Sequence, residues 1–133
     1  MTAQDQQVLV EAYLKALAEN VEVEEVRELF HEQMVQAEYP NRLNPSGGRS
    51  DLETILARME QGKSLLQRQS YTMKSFVAQG DTAAVEAEWE GVLAIPIAGL
   101  QSGEVMRAHF AMFFRFKEGK IIEQRNYDCF EPW

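Results

Sequence analysis

The stretch from Glu104 to Phe130 most constrains how this chain can fold. It reads EVMRAHFAMFFRF, then KEG, then KIIEQRNYDCF. Two long runs rich in β-branched and aromatic residues flank a short turn containing Gly119, the signature of a β-hairpin. Lys117-Glu118-Gly119 suits a three-residue loop, a type I turn followed by a left-handed Gly in a G1 bulge. The competitor is a two-residue type I′ turn at Glu118-Gly119, which puts Glu in a left-handed conformation that it disfavours. With three loop residues, Phe116 faces Lys120, Phe114 faces Ile122, Met112 faces Gln124, Phe110 faces Asn126 and Ala108 faces Asp128. One face then carries Ala108, Phe110, Met112, Phe114 and Phe116 beside Ile122, Gln124, Asn126, Asp128 and Phe130. The other carries Arg107, His109, Ala111, Phe113 and Arg115 beside Ile121, Glu123, Arg125, Tyr127 and Cys129. The first face is an apolar floor with three polar groups along one strand, the usual make-up of a small-molecule site.

The rest of the chain supplies what covers that floor. Thr2 to Glu19 reads as a helix with Val10, Tyr13, Leu14 and Leu17 on one face. Glu22 to Phe30 reads as a second, acidic helix, and Met34 to Tyr39 as a short strand stopped by Pro40. PNRLNPSGG is a loop of turn formers. Ser50 opens a third helix, with Glu53 three residues on as a capping box and Leu52, Ile55, Leu56 and Met59 as its apolar stripe. Residues 69–78 form a strand that turns at Gly80-Asp81. Ala83 to Ile95 form another, with Val85, Ala87, Trp89 and Gly91 alternating against Glu86, Glu88 and Glu90. Helices followed by strands predict an α+β fold, a cone-shaped curved antiparallel sheet wrapping three N-terminal helices around a pocket.

At 133 residues the chain makes one domain, 1–133, with a real core. A net charge of −8 argues against a nucleic-acid partner. No apolar run approaches the roughly 20 residues of a membrane span. The single cysteine and a start, MTAQDQQ, without a signal-like segment fit the cytoplasm. Two histidines and one cysteine, widely separated, give no metal-ligand spacing, and no phosphate loop or nucleophile elbow is present. The expectation is no metal and no cofactor.

Nearly the whole chain resembles the nuclear-transport-factor-2-like (SnoaL-like, cystatin-like) superfamily. The resemblance is carried by the Tyr13 helix, Glu28-Leu29-Phe30 before a strand ending at Pro40, Val85-Glu86 with Trp89 and Gly91, Phe114-Arg115-Phe116, Gly119-Lys120-Ile121 and the ending RNYDCFEPW. It implies the cone fold and a pocket used by isomerases, cyclases, epoxide hydrolases or plain binding domains. The ketosteroid-isomerase pattern puts a tyrosine at Tyr13. Its base falls on Tyr39, beside Glu38, and its protonated aspartate falls on Met112, which donates no hydrogen bond. The limonene-epoxide-hydrolase pattern places an aspartate at Asn126. The polyketide-cyclase pattern leaves Asp128 as its nearest acid/base.

The candidate catalytic residues are therefore Asp128 and Tyr13. The candidate ligand-binding residues are Glu38, Tyr39, Trp89, Phe110, Met112, Gln124 and Asn126. A carboxyl on an apolar floor has its pKa raised toward neutrality, as acid/base work requires; the alternative for Asp128 is a strand-end carboxylate bonded to a loop. Asn126 and Gln124 either orient a ligand or brace the helices. Tyr13 can equally be core, Glu38 a solvated strand end, and Arg42 and Asn44 ordinary loop residues. His109 and Cys129 fall on the convex face, where rows of Glu meet Arg107 and Arg115. Phe113, Ala111 and Tyr127 lie there too, an apolar cluster among charges that points to a homodimer. The expected ligand is a small, mostly apolar molecule. The expected activity, if there is one, is a cofactor-independent isomerase-, cyclase- or lyase-like reaction. A non-catalytic ligand-binding or partner domain is the other reading.

Overall fold

A computed structural model describes residues 1–133. It is an α+β cone: three helices lie in the hollow of a six-stranded, strongly curved and mostly antiparallel sheet. The first helix, α1 (Ala3–Ala18), starts at Thr2, whose hydroxyl accepts from the Asp5 N–H while the Asp5 carboxylate accepts from the Thr2 N–H. Its buried stripe is Gln6, Val10, Tyr13 and Leu14. The short α2 (Val23–Arg27) follows, then β1 (Phe30–Glu38), β2 (Gly48–Asp51), α3 (Leu52–Gly62), β3 (Leu66–Gln79), β4 (Thr82–Leu93), β5 (Val105–Lys117) and β6 (Lys120–Phe130). The strands lie in the order β2-β1-β6-β5-β4-β3. β1 runs parallel to β6, while every other pairing is antiparallel.

Four local expectations need correction. The second helix stops at Arg27, and Phe30 already belongs to a strand. The Leu29 carbonyl accepts from Ile121, so the sheet captures this segment before the helix can continue. The sequence predicts a loop to Gly48 and a helix from Ser50, yet Gly48–Asp51 is a strand, β2, paired with β1, Val35 opposite Asp51. The cap of α3 is Asp51 rather than Ser50: the Asp51 carboxylate accepts from the Thr54 N–H. Ser50 instead accepts from Arg58 at 2.7 Å. Finally, the last hairpin turns on two residues. Lys117 pairs with Lys120, and Glu118 and Gly119 sit at φ 55° and 77°, as a type I′ turn demands. Glu118 is close to His31 at 3.7 Å, a tertiary contact at a position it otherwise disfavours.

The tighter turn alone would invert the faces of β6. A bulge prevents this: Phe116 pairs with Ile121 but Arg115 pairs with Glu123, leaving Ile122 as the extra residue. The resulting pairs are Phe114 with Gln124, Met112 with Asn126, Phe110 with Asp128 and Ala108 with Phe130. Each lies two residues from the expected partner, and a two-residue slip keeps the faces. Phe110, Met112, Asn126 and Asp128 point inward, and Arg107, His109, Arg125 and Tyr127 outward. Only Ile121 changes side; placed outside by sequence, it is fully buried beside Phe116.

The core joins Val10, Tyr13 and Leu14 of α1 and Leu52, Ile55 and Leu56 of α3 to Val85, Ala87, Met112, Phe114 and Phe116 of the sheet. A smaller cluster of Trp89, Leu93, Met106 and Ala108 sits at the sheet's other end, with Phe110, Phe130 and Trp133 against it. Along β4 the burial alternates as the sequence implied, with the glutamates outside. On the outer face Arg107 pairs with Glu90 at 2.9 Å, but Arg115 pairs with Glu123 and His109 lies near Glu131. No helix is long and apolar enough to cross a membrane.

Candidate functional site

Between the two clusters the cone keeps a cavity of about 370 Å³. Its floor is the inner face of β5 and β6: Phe110, Met112, Gln124, Asn126, Asp128 and Phe130. Tyr13 and Leu17 of α1 and Ile55, Arg58 and Met59 of α3 roof it, Gln69, Tyr71 and Trp89 form one wall, and Gln36, Glu38, Asn41 and Leu43 form the rim. Tyr39 is not among them. It follows Glu38, so its side chain takes the opposite side, where it stacks on Tyr127 with ring centroids 4.4 Å apart. The ligand-binding role expected of Tyr39 is withdrawn on that ground.

Aromatic packing shapes the apolar end. Trp89 stacks on Phe110 at 5.6 Å, and Phe130 meets both edge-on. Gly91 makes this possible, because a Cβ there would lie 2.5 Å from the Trp89 ring. The Trp89 indole N–H donates to the Gln69 carbonyl at 2.9 Å, and the Gln69 amide donates to the Leu17 carbonyl, tying wall to roof. A neighbouring cavity of about 340 Å³ shares Leu17, Met59 and Gln69 with the first.

The polar groups are strung along β6 and β1. The Gln124 amide donates to the Asn126 side-chain oxygen at 2.9 Å and to the Tyr13 hydroxyl oxygen at 3.3 Å. Tyr13 is thus held as an acceptor, and its own proton has no acceptor in the protein. Burial above all, and the charge of Asp128, push its pKa up to about 12, so it stays a donor. Asp128 accepts no hydrogen bond from the protein. Burial first, then the negative charge of Glu38, raises its carboxyl to about 6. Glu38 is clamped by two amides, Asn41 and Asn44, each 3.0 Å from one of its oxygens. Arg42 lies over the Trp133 ring at 3.7 Å, fixing the rim loop to the C-terminal segment. No group of three or more His, Cys, Asp or Glu side chains is placed to hold a metal ion.

The cavity thus holds two carboxylates, several free donors and an aromatic wall. A family model described as "SnoaL-like domain" matches residues 10–124. The chain belongs to the SnoaL-like domain family. Solved structures agree on the fold of this SnoaL-like domain. AclR from Streptomyces galilaeus is 16% identical, with 98% of this chain and 83% of that one covered and a TM-score of 0.81. IdmH from Streptomyces antibioticus, described as a candidate polyketide cyclase, is 20% identical over 92% of this chain and 90% of its own, TM-score 0.76. An LEH-like epoxide hydrolase of M. tuberculosis is 16% identical over 96% and 84%, TM-score 0.72. A comparison with the curated proteins gives no match.

Sequence reading did not single out Tyr71, Gln69, Gln36, Asn41 and Arg58 as lining residues. A signal existed for two of them. Gln69, Tyr71 and Met73 share one face of β3, and Tyr71 pairs with Trp89. Arg58 is three residues beyond Ile55 on the same helix side, but a long cationic side chain carries no apolar signal of its own.

Proposed function

We propose that this SnoaL-like domain is a cofactor-independent acid/base enzyme that moves a proton on a small, mostly apolar carbonyl compound, an isomerase-, cyclase- or lyase-like reaction. The observation that carries the reading is Asp128, a carboxyl without protein donors at the apolar end of a cavity, with its pKa raised to about 6. The ionised Asp128 takes a proton from the carbon beside the carbonyl. The C–H electron pair becomes the new C=C bond, and the carbonyl π pair moves onto oxygen. Tyr13 and Asn126 donate hydrogen bonds to that oxygen. Asp128, now neutral, returns the proton as the oxygen's electron pair re-forms the carbonyl: to the same carbon, or, where a second C=C is conjugated with the enolate, to the far carbon of that bond. Trp89, Phe110 and Met112 hold the apolar body, Gln124 orients Tyr13, and Glu38 keeps the Asp128 pKa high. Relatives of the same fold described as a candidate polyketide cyclase and an epoxide hydrolase support a small-molecule role.

A ligand-binding or partner domain without turnover is the second reading. Met112 favours it, because a methionine stands in the cavity where the isomerase pattern has an acid. Deuterium exchange separates the two. In D2O, NMR of a panel of enolisable ketones should show exchange at the α-carbon with the wild-type protein and nearly none with Asp128→Asn. Binding without exchange across the panel supports the second reading; full exchange by Asp128→Asn removes Asp128 from the chemistry. We also propose that the protein forms a twofold homodimer through the outer face of the sheet, and that it acts in the cytoplasm.

A further inference from the structure

Tyr71 lines the cavity and makes no hydrogen bond to the protein. Its ring is fixed by Phe110, 6.2 Å away, and by its place opposite Trp89 on the neighbouring strand. The side chain is half-buried and its hydroxyl has no protein partner, so its proton is free for a ligand that fills the cavity. Burial, then the neighbouring Tyr13 and Asp128, raise its pKa, so the hydroxyl keeps its proton. Tyr13 is in the same condition: its oxygen is taken by Gln124, and its proton is left over. Two unspent phenolic protons therefore serve one cavity beside one carboxyl.

We propose that Tyr71 is a further oxyanion donor, its hydroxyl joining that of Tyr13 and the Asn126 amide in holding the substrate oxygen as it gains negative charge, where Met112 can donate nothing. This rests on the proton-transfer reading above. Both hydroxyls keep their protons throughout; the proton that moves goes from carbon to Asp128 and back. The ligand class is one whose oxygen is an enolate or phenolate when bound most tightly.

The test is binding of 4-nitrophenolate, followed by absorbance, to the Asp128→Asn protein, whose neutral amide imitates the protonated acid present beside an enolate. Nitrobenzene serves as the uncharged control. In that background Tyr71→Phe keeps the ring and its packing but should weaken 4-nitrophenolate by about tenfold or more, the worth of a hydrogen bond to a charged group. Tyr13→Phe should do the same, and nitrobenzene should change by less than about twofold for either. Unchanged 4-nitrophenolate affinity in Tyr71→Phe, an equal loss for nitrobenzene, or no 4-nitrophenolate binding by Asp128→Asn would each overturn the inference. The assay reads binding alone, so failure of the proton-transfer reading shows in the exchange experiment and not here.

Discussion

Asp128 carries a stability cost that follows from its surroundings. Its pKa of about 6 in the folded chain stands above the ordinary 3.8. Between those values the folded state binds the proton more tightly than the unfolded state, so stability falls as pH rises through that window. Asp128→Asn cannot ionise. It should therefore raise the thermal midpoint at pH 7.5 by the equivalent of about 1–2 kcal/mol, after allowance for solvent in the open cavity, and by little at pH 4. Equal effects at both values would show that the carboxyl is not desolvated. Glu38 is the second cause of the raised pKa. Glu38→Gln should move the acidic limb of any pH–rate profile to lower pH; an unmoved midpoint would exclude its charge as the cause. At this scale the sequence was informative where side chains alternate. Phe110 and Met112 had to share a face of β5, and Gln124, Asn126 and Asp128 a face of β6, because a strand's period is two. Tyr39 was misplaced because its neighbour Glu38, not Tyr39, takes the inner side. Tyr71 escaped notice because an unpaired hydroxyl is a property of packing, invisible before β3 and β5 are brought together.

The hairpin of β5 and β6 shows what local rules decide and what they do not. Turn chemistry favoured three loop residues because Glu resists φ near 55°, yet Glu118 adopts it, 3.7 Å from His31. The faces came out as read because the one-residue tighter turn and the one-residue bulge at Ile122 sum to a slip of two. A hydrophobic floor selects the register that buries it, and the turn adjusts. The short α2 and the strand β2 were illegible for the opposite reason: four or five residues carry too little periodicity, and their state is set by neighbours distant in sequence. Gly91 ties this element scale to the site. Gly91→Ala would set a Cβ 2.5 Å from the Trp89 ring, itself held by Gln69 and Phe110. The expected cost is about 1–3 kcal/mol in denaturant unfolding, with a changed tryptophan fluorescence as Trp89 leaves its stack. Retention of both would mean that the strand yields more easily than the ring.

The fold class of the whole molecule was legible early, since helices before long alternating strands leave few alternatives, although β1 and β2 fall between α2 and α3. The parallel pairing of β1 with β6 was not, because nothing in either strand's residues distinguishes its direction. Assembly is the question that belongs to this scale. On the outer face Tyr39 stacks on Tyr127, Tyr127 meets Phe113 edge-on at 5.7 Å, and Arg125 lies 5.2 Å from the Phe113 ring. Phe113 and Tyr127 remain 37% and 40% exposed, the aromatic centre of a face otherwise lined by paired charges. Apolar centre and charged rim are the layout of an interface. A twofold axis through it would pair each aromatic group with its own copy. Sedimentation velocity at micromolar concentration should give a dimer for the wild type and a monomer for Phe113→Glu, which places two carboxylates face to face at the centre. Each chain carries a net charge of −8, so added salt should tighten the dimer by screening the repulsion between the two copies. A wild type that sediments as a monomer at every salt concentration would leave those aromatic groups to another partner.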